Sequence, residues 1–131
     1  MPTLCPCDSN KSYTECCEPY LTGKQTAPTP EALMRSRYTA FAKRKFAYLV
    51  KTMRGEAARA FDITAVRRDA PLIQWLKLEV IRAEEQGDSG VVEFKAHFRY
   101  HNKPSVLHEV SRFEKVQGHW FYVSGNQGLS S

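Results

Sequence analysis

Four cysteines fall within thirteen positions near the start of the chain, as Cys5-x-Cys7 and Cys16-Cys17, and none follows. Disulfides, dithiol redox exchange and metal ligation are the chemistries open to such a cluster. Adjacent or once-separated cysteines bridge internally only with strain, because a disulfide fixes both the Cβ separation and the torsion about sulfur. The C-x-x-C spacing of a redox pair is absent. Four thiolates in so short a loop suit one tetrahedral zinc, in the closed form that is structural rather than catalytic. The run DSNKSYTE between the pairs is rich in turn formers and folds the chain back toward one ion. Metal binding, worth on the order of 10 kcal/mol, also replaces the core that this segment is too polar to build. Cys5, Cys7, Cys16 and Cys17 are therefore the candidate metal ligands, zinc the expected ion, and Lys11 a nearby cation to offset the thiolate charge. A cross-linked cluster and a redox or zinc-responsive switch stay open; the switch needs an exposed thiol of low pKa.

A second group of polar residues sits where an interior belongs. In Leu107–Phe113, strand alternation puts Glu109 and Ser111 on the face that carries Leu107 and Phe113. A carboxylate on such a face must be paired or protonated. Arg35 and Arg37, beside Tyr38 on an apolar helical run, are its natural partners. A Glu109–Arg37 pair would be a ligand clamp or a structural ion pair, and the ion pair is favoured. Arg37, Tyr38, Glu109 and Ser111 are the candidate ligand-binding residues, and no residue is assigned as catalytic. A His97–Glu109 acid–base pair stays open, while His101, His108 and His119 fall at turns, strand starts or the opposite face. Trp75, Trp120 and Tyr122 read as packing. The sequence has no phosphate-binding glycine loop, nucleophile elbow or dinucleotide fingerprint, so it leans away from an enzyme.

These residues need elements to position them. Thr29-Pro30-Glu31 is a helix start, with Thr29 as the cap, Pro30 at the first helical position and Glu31 near the positive end of the dipole. Apolar residues then recur at helical spacing, predicting helices over 30–43 and 46–53 with a break at Lys43–Lys45. Shorter helical pieces are expected at 56–60 and 64–74. The period then changes to two. Leu76, Leu78 and Val80 alternate with Lys77, Glu79 and Ile81; Val92, Phe94, Ala96, Phe98 and Tyr100 alternate with charged residues. Further strands are expected over 106–116 and 119–123. Helices followed by three or four antiparallel strands make an α+β domain.

Two resemblances sharpen this reading. C-P-C-x-S-x-K-x-Y-x-x-C-C resembles the SEC-C motif, the small zinc-binding tail of the SecA translocation ATPase; it departs from the usual form in carrying Asp8 and Asn10 where glycines flank the serine. Asn10 is expected to keep the left-handed turn. The helices-then-meander layout ending in G-x-W-x-Y resembles the nuclear-transport-factor-2-like cone fold of ketosteroid isomerase and scytalone dehydratase. E-A-L-M-R-S-R-Y-x-A-F and H-E-x-S-R-F-x-K-x-x-G-x-W-x-Y, in order behind the cysteine segment, resemble the YchJ family, which has no established activity. The resemblance implies a SEC-C-like zinc motif over 1–20, a linker over 21–29 and a cone domain over 30–131. It also implies contacts of the zinc motif with a protein or the ribosome, and pairing of two copies through the open sheet face.

Composition narrows the class. Hydrophobic content of 42% and charged content of 25% fit an ordinary globular chain. No apolar run approaches the roughly 20 residues of a membrane span, and residues 1–15 lack a signal-peptide core, so a cytoplasmic protein without membrane contact is expected. Between Glu31 and Arg68, ten Lys or Arg oppose three carboxylates, a net +7 within a total of +5. An anionic partner at this basic helical half is one consequence; a solvated helical surface is the other. The expected function is a non-enzymatic zinc-binding adaptor that contacts the ribosome or export machinery, with the cone intact without zinc. The alternative is a small-molecule binder or isomerase/dehydratase-like enzyme, which requires a ligand-sized cavity beside Glu109.

Overall fold

The computed structural model describes residues 3–127. A four-residue helix, α1 (Glu18–Leu21), closes the cysteine segment. Helix α2 (Pro30–Ala42) begins where its cap predicts, with Ala32 N donating to the Thr29 hydroxyl at 3.0 Å. It ends on a left-handed residue, Arg44 (φ 61°), where Lys45 N donates to Ala40 O (2.7 Å) and Arg44 N to Phe41 O (3.2 Å). This crossed pattern usually employs glycine, and it is the break expected at Lys43–Lys45. Helices α3 (Phe46–Lys51), α4 (Gly55–Ala60) and α5 (Ile63–Asp69) follow, and none of the described helices is long and apolar enough to cross a membrane.

The strands β1 (Ile73–Gln86), β2 (Ser89–Tyr100), β3 (Lys103–Val116) and β4 (His119–Gln127) form one antiparallel sheet in the order β1-β2-β3-β4. Its inner face buries Leu78, Val92, Phe94, Ala96, Phe113 and Trp120 against Leu33, Met34 and Tyr38 of α2. The helices-then-sheet α+β architecture is as the periodicity predicts. The segment before α2 lies against the same body: Ala27 is buried, and Trp120 Nε1 donates to Pro28 O at 3.3 Å.

Three register shifts break the simple alternation, at Leu76 and Ile81 in β1 and at Val123 in β4, and each changes which residues face inward. In β1 the register shifts between Trp75 and Lys77, so Leu76 is the extra residue and is 43% exposed, not inward as alternation alone predicts. In β4, Phe113 pairs with Tyr122 while Arg112 pairs with Ser124, leaving Val123 over. Parity is thereby reset, and both Tyr122 and Gly125 lie opposite inward residues, Phe113 and Ser111. The strand runs on to Gln127 instead of stopping at Val123.

Candidate functional site

The cysteine segment folds as a small hairpin followed by a helical turn. Leu4 bridges Ser12, Cys5 N donates to Lys11 O (2.9 Å), and Tyr20 N donates to Cys17 O (3.0 Å) at the start of α1. Both turn positions that depart from glycine are left-handed, Asp8 at φ 64° and Asn10 at φ 69°. Asp8 has a reason to be there: its carboxylate accepts from Leu78 N at 2.7 Å. Strand β1 lies at the sheet edge, so this contact satisfies an edge N–H that would otherwise face water.

The four sulfurs lie within 4.8 Å of one another, and all four thiols are free. A tetrahedral tetrathiolate with metal–sulfur bonds of about 2.3 Å places neighbouring sulfurs about 3.8 Å apart. The Cys7–Cys16 and Cys16–Cys17 separations are 3.6 and 3.9 Å, so the donor set fits one metal ion. The neighbouring Cys17 and Cys7 thiols hold Cys5 well below the ordinary thiol range, and an arriving cation would displace the remaining protons. The cluster is docked on α2: Thr39 Oγ1 donates to Cys17 Sγ (3.4 Å) and lies 3.6 Å from Cys5 Sγ, while Arg35 Nη1 donates to Cys7 O (2.6 Å). Cys5, Cys7 and Cys17 are buried in the same core as Leu33 and Met34, and Cys16 is half-buried.

The opposite side of α2 faces a cavity of about 490 Å³ between the helices and the inner sheet face. Met34, Phe41, Phe61, Trp75 and Leu107 make its wall mainly apolar. Arg37, Glu109, Ser111 and Tyr122 converge on it. Arg37 is 4% exposed, and burial pulls its pKa down to about 10, so it stays charged at neutral pH. Nη1 donates to Leu49 O (2.8 Å) and Thr52 Oγ1 (2.7 Å), and the guanidinium stacks over the Tyr122 ring at 4.7 Å. Its Nε and Nη2 donors have no acceptor among the described residues. No buried side-chain nitrogen there lacks a partner, so these donors border the open space. Across the cavity, Glu109 Oε2 accepts from the Ser111 and Tyr122 hydroxyls, the latter at 3.0 Å, while Oε1 has no partner among the described residues. Burial and the neighbouring Glu109 carboxylate push the Tyr122 phenol up, keeping it a donor.

Arg37, Glu109 and Ser111 thus line one cavity, but the direct Glu109–Arg37 ion pair does not form. Arg37 is held by backbone and hydroxyl oxygens, and Tyr122 stands between the charges, its ring under one and its hydroxyl on the other. Arg35, the other proposed partner, turns to the cysteine loop and Glu31. Tyr38 belongs to the wall: it meets Trp75 edge-on at 5.5 Å, and burial, with the Asp8 carboxylate next in weight, pushes its pKa up. His97 is not paired with Glu109; its Nε2 meets Glu79 at 2.6 Å, and His108 meets Glu93 at 2.7 Å. Sequence reasoning missed Tyr122, Gly125, Asp8 and Thr52 as parts of these sites. Tyr122 alone carried a signal, since alternation from Trp120 already points it inward.

A helix-backed antiparallel sheet that encloses an apolar cavity, with a metal-type cysteine module docked on its first long helix, defines an NTF2-like α+β protein bearing a SEC-C-like segment. Residues 29–125 match the family described as "YchJ, middle NTF2-like domain". Over 128 residues the chain is 38% identical to a UPF0225 protein of Geobacter sulfurreducens, covering 95% of this chain and 80% of the relative. The solution structure of a SEC-C motif containing protein from Rhodopseudomonas palustris is 39% identical with a TM-score of 0.87, covering 96% of this chain and 98% of that one. A crystal structure of such a protein from Psychrobacter arcticus is 30% identical with a TM-score of 0.79, covering 97% and 84%. The chain belongs to the YchJ family.

Proposed function

We propose that this protein binds a small molecule with a largely apolar body in the cavity between its helices and sheet, while one zinc ion in the cysteine module braces the helix that forms the first wall. The observation that carries the reading is Arg37: a guanidinium 4% exposed that keeps free donors toward about 490 Å³ of largely apolar space. Burying a charge in such surroundings is costly unless something pairs with it. A pocket of this size and lining, with few convergent polar groups, is the usual form of a small-molecule site. Zinc is favoured because an all-thiolate tetrahedral set suits a soft-tolerant d¹⁰ ion and disfavours the hard oxygen-seeking cations. The test is titration with N-phenyl-1-naphthylamine, a neutral fluorescent probe, against the native protein and Ala57→Trp, which fills the cavity from half-buried Ala57 on α4. One-to-one saturable binding by the native protein, lost in a variant of unchanged circular dichroism, is expected. Equal binding by both would place the probe elsewhere and defeat the reading.

A macromolecular partner is the second reading. It is favoured by Leu4, 62% exposed on the cysteine module, and by Lys43, Arg44, Lys45, Lys51, Arg54, Arg59, Arg67 and Arg68, all exposed. Arg35 and Arg37 are excluded from that surface because the fold uses them internally. Co-sedimentation with ribosomes that weakens as salt rises would support it, and none at low salt would remove the ribosome as the partner.

A further inference from the structure

The polar groups of the cavity also say what kind of molecule would fit. Resting on the cavity reading above, we infer that the ligand is a net-neutral molecule with an apolar body, carrying a hydrogen-bond acceptor for Arg37 and a donor for Glu109 close together at one end. The cavity holds one guanidinium and one inward carboxylate that do not touch, so its fixed charges already balance; Glu56, also at its edge, is exposed to solvent. An anionic or cationic ligand would leave one charge uncompensated in apolar surroundings. A purely apolar ligand would cover the Arg37 Nε and Nη2 donors and Glu109 Oε1 without offering them a partner. A neutral acceptor–donor head group satisfies both ends at once. Tyr122 keeps the two charges from pairing with each other, so both still line the cavity. The apolar body lies against Phe41, Phe61 and Trp75.

The experiment is displacement of N-phenyl-1-naphthylamine by four molecules of one shape: 3-phenylpropanamide, 3-phenylpropanoate, 3-phenylpropylamine and propylbenzene. The amide is expected to bind at least about tenfold more tightly than either ion or the hydrocarbon. In Glu109→Gln the amide oxygen of Gln still accepts from Ser111 and Tyr122, but the cavity gains a net positive charge, so the propanoate should rise past the amide. A native protein that prefers an ion, or that takes propylbenzene as well as the amide, overturns the inference while leaving the cavity reading standing, as does an unchanged ranking in Glu109→Gln. Failure of the naphthylamine itself to bind overturns both.

Discussion

Gly125 and Asp8 each hold a position for a stated steric or hydrogen-bonding reason. A Cβ at Gly125 would overlap Glu109 Oε2 and the Tyr122 hydroxyl. Gly125→Ala therefore pushes the carboxylate off its donors and is expected to cost about 1–3 kcal/mol of stability in urea unfolding, as overpacking of a tight site does. A cost near zero would mean that the Glu109 arrangement yields easily. Asp8 combines a left-handed backbone with an acceptor for Leu78 N. Asp8→Ala loses the bond and keeps the strain, whereas Asp8→Gly loses the bond and relieves the strain. Alanine should therefore be worse than glycine by about 1 kcal/mol in the same measurement. Equal costs would leave the backbone conformation without weight.

Helix α2 serves both sites, gripping the cysteine cluster through Arg35 and Thr39 and walling the cavity through Met34, Arg37 and Tyr38. The expectation from sequence that the cone stands without zinc is at odds with this docking, because three of the four cysteines are buried in its core. Stripping the proposed zinc with a chelator should lower the unfolding free energy of the whole chain by about 3 kcal/mol or more, in one transition. An unchanged melting temperature would show that the module contributes nothing to the body. Helix α2 and strand β2 were legible because their caps and alternation are uninterrupted. The inner faces of β1 and β4 were not, because the bulges at Leu76, Ile81 and Val123 flip parity without any local marker. The cysteines announced themselves by type and spacing. The polar end of the cavity was half legible: Glu109 and Arg37 stood out as charges on apolar faces, but Tyr122 looks like any core aromatic, and no pattern along the chain shows it inserting between them.

For the molecule as a whole, the buried phenols set a limit at high pH. Burial pushes Tyr38, Tyr48 and Tyr122 above the ordinary value of 10, so the folded state keeps protons that the unfolded state releases. Their contribution is complete below pH 10 and declines as pH rises beyond it. Arg37, held down to about 10, works in the opposite sense but is one group against three. Stability followed by circular dichroism should fall from about pH 10 upward, with tyrosinate absorbance at 295 nm rising cooperatively as the chain unfolds. Free titration of every tyrosine without unfolding would contradict the packing described. The proposed role of the free Arg37 donors is to hold a guest. It is tested most directly by recording the Arg37 Nε–H resonance by nuclear magnetic resonance while adding 3-phenylpropanamide. A saturable shift of that resonance, together with the backbone amides of Glu109 and Gly125, is the result predicted. Shifts confined to the exposed basic helices or the outer sheet face, with Arg37 unmoved, would contradict it.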